Sequence, residues 1–242
     1  MIHPTNNPKN ACALVLITAM LCVIHTPLSA GIAQAGVAFN PPGGGAPSGR
    51  GGASRGEIIC SDNPHAFSRQ FVPLTPVNSN YGLTISARPT FFVNIPPSSA
   101  QKAFFSLKDE KGKVYYQTLL PITKLGGIMR IDLPPSVSPL IIDRPYQWGV
   151  ATLCSGKLKP DSPFVSSWVK RVAPTTRLVN QLNTVTPFDR AALLGMNGIW
   201  YDTLTTLADL RQQQPQNSKL LSTWSALLTS VGLGDVASQP LN

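Results

Sequence analysis

Proline is distributed so unevenly along this chain that it decides what each part can become. All but three of the 23 prolines lie at or before Pro174, the exceptions being Pro187, Pro215 and Pro240. Proline lacks a backbone donor and holds φ near −65°, so it suits turns, strand ends and first helical turns but not the interior of either element. Short strands and turns are what the first part of the chain can form. Long helices become available only beyond Pro174.

The runs between those prolines have a period of two. Thr90–Ile95 (TFFVNI) is β-branched and aromatic and is framed by Pro89 and Pro96-Pro97. Lys102–Leu107 and Lys113–Leu119 flank Asp109-Glu110-Lys111-Gly112, which reads as a β-hairpin with Gly112 supplying a positive φ. Gly127–Leu133, Tyr146–Leu153 and Phe164–Val172 continue the series. Short strands at hairpin spacing, with no helices between them, predict an antiparallel sandwich. The stretch Leu140–Tyr146 with Trp148 and Val150 looks like the approach to a late strand of immunoglobulin-like and fibronectin-type sandwiches. In those folds a tyrosine at the strand start bonds back to the backbone upstream.

Ahead of the strands come two segments of a different character. Met1–Asn10 is polar, Ala11–Ile24 is an uncharged run of fourteen residues, and Ala33-Gln34-Ala35 offers a small-x-small cleavage site after Pro27. That order predicts a secretory signal peptide over 1–35, with an uncleaved anchor as the alternative. Asn40–Gly56 has seven Gly and three Pro in seventeen residues, too little apolar surface to offset the entropy of ordering it. A disordered spacer over 36–56 is therefore expected. With the leader gone, only Cys60 and Cys154 remain. In an exported chain they most simply form one disulfide; two free thiols or an intermolecular bridge are the alternatives.

The net charge of +9 raises the question of nucleic acid. Between Glu57 and Ala173 thirteen Lys/Arg are interleaved with seven Asp/Glu, a diffuse field with no basic stripe, so no nucleic-acid partner is expected. Histidine is scarce. Only His65 survives removal of the leader, which excludes a multi-histidine metal site, and no Gly-x-Ser-x-Gly elbow accompanies it. Asp109-Glu110 could be proposed as paired acids, but their place at a hairpin tip among lysines marks them as turn formers. No cofactor is expected.

Past Pro174 the period becomes helical. Thr176–Val185 can form a short helix, Thr186-Pro187 with Asp189 is a helix start, and Asn197-Gly198 stops that helix. Ile199–Gln213 carries Leu204, Leu207, Ala208 and Leu210 at helical spacing, and Leu220–Val231 repeats the pattern before Gly232. The segment is similar to a tetratricopeptide repeat: Thr184–Asn217 spans one thirty-four-residue unit, with Ala191 at the close crossing, Gly198 at the turn and Trp200 at the aromatic position. That register implies that Trp200 is wedged between helices. Tyr201 and Asp202 are then left as candidate partner-facing residues.

Two sets of residues carry a second likeness. Gly82-Leu83-Thr84, Arg88–Phe92 and Tyr115-Gln117-Thr118 form the first, and Asn197–Asp202, Leu210-Arg211, Trp224 and Val231–Leu233 the second. Over roughly Ile58 to Leu241 the chain resembles the cyanobacterial domain-of-unknown-function family DUF 928. The resemblance implies a cyanobacterial exported protein and supplies no activity.

The expected architecture is α+β. It has a signal peptide over 1–35, a spacer over 36–56, an antiparallel β-sandwich of immunoglobulin or fibronectin type over 57–173, and a small tetratricopeptide-like helical module over 174–242. The expected function is a non-enzymatic cell-envelope module that binds a protein or polymer. Membrane contact would come only through an uncleaved leader. The alternative is an envelope-polymer hydrolase acting through carboxylates that the sequence does not single out.

Overall fold

Among the described residues there are two β-sheets and four α-helices. The computed structural model describes residues 36–43, 45–46 and 70–242. The leader, most of the spacer, Cys60 and His65 lie outside the described residues. Eight strands come first: β1 (Val72–Pro73), β2 (Tyr81–Thr84), β3 (Thr90–Ile95), β4 (Lys102–Asp109), β5 (Val114–Pro121), β6 (Gly127–Asp132), β7 (Pro145–Thr152) and β8 (Phe164–Arg171). Then follow α1 (Thr176–Leu182), α2 (Pro187–Met196), α3 (Trp200–Gln213) and α4 (Ser218–Ser230).

One sheet has the order β1-β3-β6, and the other β2-β8-β7-β4-β5. Most pairs are antiparallel, but β2 runs parallel to β8, with Tyr81 opposite Trp168 and Thr84 opposite Arg171. The all-antiparallel expectation is corrected at this edge. The cause is connectivity: β2 is not joined to β8 by a hairpin, so nothing local reverses its direction.

Strand β3 explains how the layers stack. All six of its residues are buried, although alternate side chains of a strand point to opposite faces. Phe91 packs against Trp148 of the larger sheet at a centroid distance of 5.0 Å, while Phe92 meets Trp224 of α4 edge-on at 6.5 Å. The three-stranded sheet is thus covered by the other sheet on one face and by helices on the other. A continuous apolar run, rather than alternation, is what such a strand requires.

The tyrosine expected to bond upstream does so, as the Tyr146 hydroxyl accepts from the Ile141 N–H at 3.3 Å. Asp109 closes the β4–β5 turn by accepting from the N–H groups of Lys111 and Lys113, and Gly112 has φ +80° as the hairpin reading requires. At the rim of the small sheet, Ile128 N–H donates to Pro240 O at 2.7 Å and Asn242 N–H to Ile128 O at 2.9 Å. The tail thereby pairs with part of β6.

The helices start where their caps put them. Thr175 accepts from Leu178 N–H, Thr186 accepts from Asp189 N–H ahead of Pro187, and Asn217 accepts from Lys219 and Leu220 N–H. Between α2 and α3, Gly198 has φ +72°, a left-handed conformation that a side chain would strain. The spacer expectation is corrected at its front end. Val37 is buried, the Phe39 ring lies 4.9 Å from that of Trp200, and Asn40 bonds through its N–H to Gly195 O and through Nδ2 to Met196 O. Gly36–Phe39 carries the apolar side chains that the following glycines lack, which is why it packs. No helix among the described residues is long and apolar enough to cross a membrane.

Candidate functional site

The head of α3, singled out by the sequence, lies where the helices meet both sheets. Trp200 is fully buried and its indole N–H donates to Leu74 O at 2.8 Å. Its ring fills space against Phe39 and the backbone of β2, beyond the purely helical wedge that the repeat register implies. Gly82 permits this approach, since a Cβ there would stand 2.8 Å from Tyr201 Cε2 and 3.1 Å from Trp200 Cβ.

Tyr201 is not partner-facing. It is 1% exposed, its ring meets Phe91 edge-on at 5.5 Å, and its hydroxyl joins two strands of the larger sheet. Trp148 Nε1 donates to that oxygen at 2.7 Å, and the hydroxyl donates to Trp168 O at 3.0 Å. Burial pushes the phenol up to about 12, so it stays neutral and able to do both. Helical periodicity accounts for the placement. Tyr201, Leu204 and Ala208 form one stripe and Trp200, Thr203, Leu207 and Leu210 its neighbour, and both are buried.

Asp202 is partly buried and engaged within the chain. Its Oδ2 accepts from Thr84 Oγ1 at 2.7 Å and from Ile85 N–H at 3.1 Å, tying α3 to the end of β2. Burial raises its carboxyl above the usual carboxylate range, against the lowering effect of these bonds. A raised folded-state pKa gives a stabilising contribution that is present below the unfolded carboxylate range and lost as pH rises through the folded value. Asp202→Asn keeps an acceptor oxygen without the charge. The stability difference between wild type and this variant, followed by urea midpoints, is therefore expected to move against wild type as pH rises from acid to neutral.

Four further acids are also occupied. Arg144 bonds Asp109 through Nη2 at 2.9 Å and Glu110 through Nε at 2.8 Å, which fixes the hairpin tip to the approach of β7. Arg130 joins Asp132 at 2.9 Å and also bonds Asp209, linking β6 to α3. Cys154 is half-buried just beyond β7, and its expected partner Cys60 lies outside the described residues. Among the described residues no group of His, Cys, Asp and Glu is arranged to hold a metal ion.

One open surface among the described residues is the edge formed by β5. Strand β5 is the edge of its sheet, and no described strand pairs with its outer side. Its sequence VYYQTLLP carries no charge, and Val114 and Leu119 are about half exposed at 49% and 53%. Beside it opens a cleft of about 270 Å3 between β5 and β6, lined by Ile95, Leu120, Ile122, Met129 and Arg130 among others. The sequence marks Lys113–Leu119 only as one arm of a hairpin, although the lack of charge over Val114–Pro121 is visible there.

A family model described as Domain of Unknown Function (DUF928) matches residues 50–241, most of the chain. The chain belongs to the DUF928 family. No curated protein matches it. Among solved structures, this DUF928 chain is similar to the CARDB domain of a Pyrococcus furiosus protein in complex with di-metal ions. That likeness has 9% identity and a TM-score of 0.26, over 39% of this chain and 86% of that one. A second is the β-glucuronidase of Parabacteroides merdae with glycerol in its active site. Here identity is 11% and the TM-score 0.20, over 60% of this chain and 21% of that one. The sandwich of the DUF928 chain rests on its own strand pairing and not on these likenesses.

Proposed function

We infer that this chain is an exported, non-enzymatic module of a cyanobacterial cell envelope that binds a protein or polymer partner through the β5 rim. The observation that carries the reading is the long, uncharged edge strand with outward Val114 and Leu119 beside an apolar cleft. Edge strands are ordinarily blunted by charge, proline or cover, because their free N–H and C=O groups template pairing with another chain. An extended partner segment would add as a strand there, with side chains entering the cleft. The helices, of tetratricopeptide type in the pairing of α2 with α3, serve in this reading to brace the sandwich.

Export is supported by the leader pattern, an uncharged run followed by a small-x-small cleavage site. Amino-terminal sequencing of the exported protein is expected to begin at Gly36. Export also supports a Cys60–Cys154 disulfide. Closing a loop of about ninety residues stabilises by about 4 to 5 kcal/mol in the chain-entropy account. Cys154→Ala should lose about that much in a urea titration. Two alkylatable thiols in the unreduced protein would exclude the bridge.

The rim is tested by capture from envelope extract with the immobilised protein. Val114→Lys with Leu119→Lys should leave stability within about 1 kcal/mol of wild type, as exposed substitutions do. The same pair is expected to abolish capture, and undiminished capture would remove the rim from the proposal.

A further inference from the structure

We propose that one end of the sandwich is a docking surface for an anionic lipid membrane, which two neighbouring loops enter with Leu125 and Leu158 while the lysines beside them meet the headgroups. The loops are 122–126, between β5 and β6, and 153–163, between β7 and β8. Strand register puts them at the same end. Lys102 at the start of β4 stands opposite Pro121 at the end of β5, Ala103 opposite Thr152 at the end of β7, and Ala151 opposite Phe164 at the start of β8. Backbone bonds fasten both loops to the start of β4, with Ile122 N–H donating to Gln101 O at 3.1 Å and Leu153 N–H to Lys102 O at 2.9 Å.

Each loop carries an exposed leucine next to lysine. Leu125 follows Lys124 and is 85% exposed, the highest value among the large apolar side chains described, and Leu158 stands between Lys157 and Lys159 at 50%. A single exposed leucine is ordinary. Two on adjacent loops, both set among cations, give this end apolar points within a charged collar. The loops are braced from inside. Across the first, Gly126 N–H donates to Thr123 O at 3.2 Å. In the second, Lys159 N–H donates to Ser162 Oγ at 2.9 Å and Ser162 N–H to Lys159 O at 3.1 Å. Loops already held in this way have less freedom to lose on docking.

Charge complementarity selects the occupant. Lys102, Lys124, Lys157 and Lys159 are exposed, and Asp161 is the one acid in the three connections at this end, 96–101, 122–126 and 153–163. None of these lysines is in an ion pair among the described residues. At the opposite end Asp109 and Glu110 stand among the cations and bind Arg144. Cations that chain order disperses are thus collected by the fold. Basic residues near an anionic leaflet draw a protein to it, and apolar side chains that enter the headgroup region hold it there. A soluble polyanion would use the lysines and gain nothing from the leucines, so both features together favour lipid. The contact is peripheral, as no described helix can cross a membrane. It is separate from the β5 edge, since neither Leu125 nor Leu158 lines the cleft there.

The experiment is co-sedimentation of the exported protein, as the cell processes it, with phosphatidylcholine vesicles that contain phosphatidylglycerol and with vesicles of phosphatidylcholine alone. Wild type should bind the anionic vesicles and not the neutral ones. Salt raised from about 0.1 to about 1 M should weaken the binding, because it shortens the screening length from about 10 to about 3 Å. Lys124→Ala, Lys157→Ala and Lys159→Ala together should weaken it about a hundredfold, at about fivefold for each cation near the surface. Leu125→Ser with Leu158→Ser should weaken it about tenfold or more, and leave binding to dextran sulfate, a soluble polyanion, unchanged. Lys108→Ala, Lys111→Ala and Lys113→Ala remove the same charge from the opposite end and should have little effect. All of these variants should melt close to wild type and keep capture through the β5 edge, as exposed substitutions elsewhere do. Equal losses from the two lysine triples would overturn the placement at this end. A leucine pair that binds anionic vesicles as wild type does would replace the lipid surface with a soluble polyanion as occupant. Binding to neutral and anionic vesicles alike, or to neither, would overturn the proposal.

Discussion

Tyr201→Ala is expected to bring this protein to the edge of unfolding. Removing a buried aromatic side chain costs about 3 to 5 kcal/mol through lost burial and the cavity that remains. The Trp148 indole N–H, now bonded to the Tyr201 hydroxyl at 2.7 Å, would also be stranded in the core, at about 1 to 3 kcal/mol more. Domains have about 5 to 15 kcal/mol in all, so the sum consumes much of the total. Tyr201→Phe separates the two contributions. It keeps the ring against Phe91 but takes the hydroxyl from the Trp148 indole and the Trp168 carbonyl, so its loss should be about 1 to 3 kcal/mol. Urea titrations of the three proteins give the order wild type, Phe, Ala. An alanine variant of unchanged midpoint that no longer captures a partner would restore Tyr201 to the surface role its sequence position suggested.

What could be read without the structure divides along physical lines. Strands β3 to β8 were legible because prolines and turn glycines bound them locally, and the helices because their caps are local too. Strand β2 was not. Its four residues, Tyr81–Thr84, pair in parallel with β8 more than eighty positions later, and no short-range pattern encodes that choice. The layer order was half legible: TFFVNI announces burial on both faces, but not that a sheet covers one and helices the other. Tyr201 was misjudged by treating α3 as a helix with one buried stripe, whereas sheet edges and helices enclose it on both sides. Asp202 looked free because its partners, Thr84 and Ile85, sit on that same unrecognised strand end.

Trp200→Ala tests whether the helices and the sandwich stand as one body. The Trp200 ring touches three separate stretches: Phe39 ahead of the sheets, the Leu74 carbonyl after β1, and the backbone at Gly82 in β2. Its removal should cost about 3 to 5 kcal/mol, as for other buried aromatics. The form of the transition is as informative as its midpoint. If the indole joins the parts of a single cooperative unit, far-UV helical signal and near-UV tryptophan signal should still fall together, at a lower urea concentration. If the helices were an independent module resting on the sandwich, the variant would show two separated transitions, with the helices released first. The shared core, in which Trp200, Tyr201 and Leu204 pack with Phe91, Trp148 and Val169, argues for the single transition. A two-step unfolding would mean that the sandwich can close its own edge without α3, and the bracing role assigned to the helices would fall with that result.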